Sequence, residues 1–176
     1  MSPLRAALLI PAALVALSAL NTAQAGGGGP RPAPVATCRD GYVRPDFTAL
    51  KAQLSRARTQ WNVQRPASYT YDLRQIAAPV LFPETRVTVV GGRVTRTDLL
   101  PGQEGEPNHL APQTIEARFD DLFQTLQLQS RAACPDVQLS FDPALGYPTR
   151  VYSGMGDNGI ADGFGEWSIR NFTPLK

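Results

Sequence analysis

DFTALKAQLSRARTQWNVQRPASYTYDLRQ, residues 46–75, carries both of the periodicities that decide the fold. Phe47, Leu50, Leu54, Ala57 and Trp61 recur every three or four positions, the spacing of a helix with one buried stripe. Asp46 can cap that helix, and Lys51, Arg56 and Arg58 fall away from the stripe. Pro66 stops it, because the residue before a proline is pushed out of the helical region. The period then drops to two. Tyr69, Tyr71 and Leu73 fall on one side and Thr70, Asp72 and Arg74 on the other, which predicts a half-buried strand over residues 68–75.

Downstream, Pro79 and Pro83 bracket Val80-Leu81-Phe82, so this segment is expected to be a loop or a sheet edge. Arg86–Val90 and Arg93–Thr97 flank Gly91-Gly92, the signature of a tight hairpin. Residues 98–113, with glycines, prolines, Asn108 and His109, read as a long loop. A second helix is predicted from Thr114, with Glu116 in its first turn, where the helix dipole favours an anion. Its buried stripe is expected to be Ile115, Phe119, Leu122, Phe123 and Leu126. Strands are then predicted at Val137–Phe141, Thr149–Ser153 and Glu166–Phe172, separated by a turn at 142–148 and a Gly/Asp-rich loop at 154–165. Helix then strands therefore occurs twice. The expected fold is α+β: an antiparallel sheet of about five to six strands, with both helices packed on one face.

The N-terminus speaks to location. Arg5 precedes an apolar run over Ala6–Leu20, and Ala23-Gln24-Ala25 ends a signal-peptide pattern. At about 15 residues the apolar run is short of the roughly 20 needed to span a bilayer. Residues 1–25 are thus expected to be a cleaved leader, 26–37 a Gly/Pro-rich tether and 38–176 one domain, periplasmic or extracellular. Val35-Ala36-Thr37-Cys38 approaches a lipoprotein box, but Thr37 is a poor residue before a lipidated cysteine. After cleavage no membrane span is expected.

Arg5 is the only charge in the leader, so the mature chain would hold 16 basic and 15 acidic residues. Such a balance argues against a nucleic-acid binder, which needs clustered positive charge, and no run of arginines points to a polyanion. Cys38 and Cys134 are the only cysteines. In an exported chain an even count favours a disulfide over two free thiols. Closing a loop of about 97 residues would contribute roughly 4–5 kcal/mol in the chain-entropy picture. Zinc would need two further ligands, and His109 is the only histidine.

Trp61, Pro66, Tyr69 and Tyr71, the Val87/Val89–Gly92–Val94 hairpin, and Phe119 to Phe123 form one pattern. It continues through Val137-x-Leu139-x-Phe141-Asp142-x-x-x-Gly146-Tyr147-Pro148-Thr149-Arg150-Val151, Ile160-Ala161-Asp162 and Phe172. Together, over about residues 47–173, these resemble a bacterial family of exported or lipoprotein-like proteins known as domain of unknown function 6174. The turn from Phe141 to Pro148 is the most specific element. The resemblance implies export and a compact domain, and no activity. Many members carry a cysteine pair after the first strand, where this chain has Ile76, Ala77 and Ala78, so Cys38 and Cys134 could be a local substitute. Acidic residues that stand adjacent near the family's last strand are separated here, as Asp162 and Glu166.

Few residues invite chemistry. Asp157, Asn158, Asp162 and Glu166 could offer oxygen ligands to calcium, but Gly159 and Ala161 break the EF-hand spacing, so no metal or other cofactor is expected. Asp and Asn side chains bonded to their own backbone explain that loop as well. His109 sits in a Pro-rich loop, and G-x-S-x-G is absent. Asp120/Asp121 and Asp136/Asp142 are acid pairs whose simplest role is solvation. Tyr69, Tyr71 and Tyr147 are candidate binding residues, although Trp61, Tyr69 and Tyr71 are equally what a small core requires. The expected function is a non-catalytic module binding a protein or envelope component through its sheet face or loops. Its rivals are a carboxylate-dependent hydrolase, with or without assistance from calcium, and a structural envelope protein without a discrete ligand.

Overall fold

The computed structural model describes residues 37–156 and 163–176. The predicted leader, nearly all of the tether, and Asp157, Asn158 and Asp162 of the Gly/Asp-rich loop lie outside the described residues. Helix α1 spans Phe47–Gln64 and α2 spans Ile115–Gln129. Asp46 Oδ1 accepts from the amides of Thr48 and Ala49 at the start of α1, and the Thr114 hydroxyl accepts from Ala117 N at the start of α2. Each cap supplies an acceptor to amides that have no partner inside the helix.

The strands are β1 (Tyr69–Ala77), β2 (Val80–Leu81), β3 (Thr85–Val90), β4 (Arg93–Leu99), β5 (Pro135–Phe141), β6 (Pro148–Met155) and β7 (Gly165–Pro174). They form one antiparallel sheet in the order β4-β3-β1-β7-β6-β5, with the two-residue β2 beside β1. The fold is α+β, as the two periodicities predict. The proline-bounded segment is an edge: β2 pairs only the end of β1, through Ile76↔Leu81 and Ala77↔Val80. Gly91 and Gly92, at φ +56° and +75°, close the β3–β4 hairpin, a pair of left-handed positions that side chains with a Cβ rarely adopt.

The core lies between the helices and one sheet face. Leu54, Ala57 and Trp61 of α1 and Ile115, Phe119, Leu122 and Leu126 of α2 are buried with Tyr69, Tyr71 and Leu73 of β1, Val87 and Val89 of β3, and Val151 and Ile169. Trp61 stands edge-on to Tyr69 (ring centroids 5.5 Å) and Phe172 (5.7 Å), and Phe119 stacks on Phe141 at 6.2 Å. The α2 stripe needs one correction. Phe123 is 48 % exposed. Leu122 and Leu126 already fill the sheet-facing side, and one further residue turns the side chain by about 100° towards the α1–α2 cleft. There Phe123 lines a cavity of about 210 Å³ with Lys51, Leu54, Ser55 and Arg58.

Candidate functional site

Among the described residues no helix packs on the opposite sheet face, and its centre is polar. Strand register builds its centre. Ser168 of β7 is the register partner of Arg74 on β1 and of Arg150 on β6, so two guanidiniums flank one hydroxyl. Residues two apart on a strand share a face, which puts Glu166 and Arg170 on either side of Ser168 along β7. Arg74, Thr149, Arg150, Glu166, Ser168 and Arg170 line a depression of about 430 Å³.

The acids nearby offset the arginines only in part. Glu166 Oε1 accepts from Arg150 Nε and Nη2, both at 2.9 Å. Glu84 lies 3.8 Å from Arg74 Nε. Arg170 has no carboxylate partner among the described residues. Its register partner, Asp72, is already engaged: Arg86 grips it by two bonds, 2.7 and 2.9 Å, and Asn171 Nδ2 donates to it at 2.9 Å. Burial pushes the Asp72 carboxyl up, but the hydrogen bonds from Arg86 and Asn171 outweigh it and hold the group below the usual carboxylate range. The depression therefore keeps an excess of positive charge on planar forks suited to carboxylate or phosphate oxygens.

Cys38 and Cys134 are joined, with S–S 2.05 Å and Cα–Cα 5.4 Å. Tyr69 and Tyr71 are buried in the core; the Tyr69 hydroxyl accepts from Ile115 N at 3.0 Å and the Tyr71 hydroxyl donates to Gln113 O at 2.7 Å. Burial pushes both phenols up. Tyr147 is half-buried against Phe172, ring centroids 4.5 Å apart. The structure does not bring these three rings to the depression, whereas it does bring Glu166 there. His109 is exposed and packs edge-to-face with Phe82, ring centroids 5.4 Å apart. The acid pairs serve separate partners: Asp120 meets Arg58 at 2.8 Å, Asp121 accepts from Gln113 Nε2, Asp136 meets Arg39, and Asp142 Oδ1 accepts from the amides of Ala144 and Leu145. No group of three or more metal-ligating side chains occurs among the described residues. Nor is any described helix long and apolar enough to cross a membrane.

Sequence reasoning missed the arginine cluster, because its members lie up to 96 positions apart. The usable signal was the outward set of each strand, and only strand order and register bring the three sets together. No curated protein and no solved structure matches the chain. Residues 53–174, from the second turn of α1 to the end of β7, match DUF6174, a family of unknown function, and the chain belongs to that family.

Proposed function

We propose that the protein is an exported, non-catalytic binding module whose open sheet face takes an acidic segment of an extracellular or envelope partner. The observation that carries this reading is the convergence of Arg74, Arg150 and Arg170 from three neighbouring strands around Ser168. A rigid sheet holds such forks at fixed spacing, so an extended acidic chain meets them with little ordering cost. The non-catalytic reading is supported by the state of the acids on this face. Glu166 is tied to Arg150 and Asp72 to Arg86 and Asn171, so both carboxylates have structural partners. Export is supported by the leader pattern and by the Cys38–Cys134 disulfide, which suits an oxidising compartment.

The test is fluorescence anisotropy with a synthetic glutamate-rich peptide and a neutral peptide of equal length. The acidic peptide is expected to bind, more weakly as salt rises, because exposed charges are screened. Exposed guanidinium–carboxylate contacts contribute up to about 1 kcal/mol each, so the double variant Arg150→Gln/Arg170→Gln should bind roughly 5–30-fold more weakly. Equal binding of wild type and double variant, or of both peptides, would overturn the proposal.

A further inference from the structure

A second polar site lies on the other side of the sheet, against the flank of α2. Arg118 projects from the first turns of α2 and is 3 % exposed. Among the described residues it has no carboxylate within ion-pair distance. Its Nη2 donates to the carbonyls of Leu110 (3.2 Å) and Ala111 (3.4 Å), and its guanidinium lies over the Trp167 ring, 5.1 Å from the centroid. Those contacts leave the charge half served. Arg118 Nε is buried without a hydrogen-bond partner, and so is the Oε1 of neighbouring Gln113. A buried guanidinium without an anion is costly, and a donor and an acceptor left unmade together cost more.

Both residues line one open cavity of about 320 Å³. Asp121 lines it too, one turn along α2 from Arg118 and hence on the same side of the helix. Its Oδ2 accepts from Gln113 Nε2 at 2.8 Å, which leaves the second carboxylate oxygen for a donor. Leu110, Leu128 and Trp167 supply apolar wall. The cavity thus presents a cation at its buried end, an anion beside it and an aliphatic surface. A simple anion would meet the repulsion of Asp121, and a simple cation that of Arg118.

We infer that this cavity binds a small zwitterion, an aliphatic α-amino acid, with its carboxylate on Arg118 and its ammonium on Asp121. The side chain lies against Leu110 and Leu128. The site is separate from the arginine-lined depression and does not depend on it.

Calorimetric titration of the full chain with free leucine tests the proposal, beside N-acetyl-leucine and leucine amide. Leucine should bind and raise the melting temperature, while neither blocked form does, since each lacks one charged end. Asp121→Asn changes an exposed side chain and should weaken leucine binding tenfold or more. Arg118→Lys keeps the charge but loses the fork, and should weaken it several-fold with the circular-dichroism spectrum unchanged. The proposal is overturned if leucine fails to bind at about 10 mM, where even a weak specific site would fill. It is equally overturned if the blocked forms bind as well as leucine, or if Asp121→Asn binds as wild type does.

Discussion

At the scale of single residues, the Asp72–Arg86–Asn171 group shows how a charge is held at a sheet surface. Asn171 adopts φ +49°, a left-handed conformation that asparagine tolerates better than most residues, where the β1–β7 register shifts. From there its amide reaches Asp72. The two ends of the ion pair are unequal: the Asp72 side chain is 4 % exposed and that of Arg86 47 %. Removing the arginine strands a buried carboxylate, whereas removing the carboxylate leaves a guanidinium that water can serve. Arg86→Ala should therefore cost about 2–4 kcal/mol in urea unfolding at neutral pH and Asp72→Asn about 1–2. The pH dependence follows the same logic. The Asp72 carboxyl is held low in the folded state, so its contribution is complete above about pH 4, the unfolded value, and fades as pH falls through the lower folded value. In Arg86→Ala burial works against little opposition and the carboxyl rises, so the gap to wild type should narrow on acidification. A constant gap from pH 7 to pH 3 would contradict this account.

At the scale of elements, the β5–β6 turn explains its own sequence. Asp142 Oδ1 accepts from Ala144 N and Leu145 N, Gly146 N donates to Asp142 O, and Asp142 N donates to Tyr147 O. Gly146 lies at φ +82°, and a Cβ there would stand 2.5 Å from Ala57 O and 3.0 Å from Gln60 Cβ of α1. Gln60 Nε2 in turn donates to Pro143 O and Ala144 O, tying helix and turn together. Gly146→Ala meets both a strained backbone and helix backbone that cannot yield, and should cost more than about 2 kcal/mol in thermal unfolding. Gly102→Ala, also at positive φ (+81°) but in open space, should cost less, from backbone strain alone. Equal losses would show that the approach of the turn to α1 is unimportant. This turn was legible from its residue types. Both helices, the Gly-Gly hairpin and the alternating β1 were legible too, because local periodicity and turn chemistry decide them. Phe123 was misread because helical spacing alone does not say how wide the covered stripe is. The arginine depression and the Arg118–Asp121 cavity stayed hidden for a different reason: each depends on residues from separate elements that meet only after folding. Arg118, at i+3 from Ile115, falls beside a buried stripe, where a solvated role is the ordinary expectation for arginine.

At the scale of the whole molecule, the segment before α1 fastens the far end of the domain. Arg39 N donates to Gly156 O, the Tyr42 hydroxyl donates to Pro135 O at 2.7 Å, and Arg44 donates to Ser130 O, Ala132 O and Ala133 O where α2 ends. The three carbonyls that Arg44 meets lie just past the C-terminus of α2, and a cation suits that end of a helix dipole. The Cys38–Cys134 bond closes the same junction covalently, across a sequence separation of 96. Cys38, Arg39, Tyr42 and Arg44 all precede residue 53, where the family match begins, whereas their targets lie within it. The buried core of helices and sheet contains none of these four strap residues, so losing the disulfide should lower stability rather than abolish the fold. Cross-linking chiefly restricts the unfolded chain, and a loop of this length contributes about 4–5 kcal/mol. For a domain of this size that corresponds to a fall of roughly 10–15 °C in Tm for Cys38→Ser/Cys134→Ser. Reduced wild type should unfold at the same temperature as the double variant. Arg44→Ala should lower both the oxidised and the reduced protein, and more so the reduced one, in which only the non-covalent contacts of Arg39, Tyr42 and Arg44 hold the strap. A double variant that melts within about 2 °C of wild type, a change worth under 1 kcal/mol, would mean that the non-covalent contacts already constrain this junction and that the disulfide adds nothing to them.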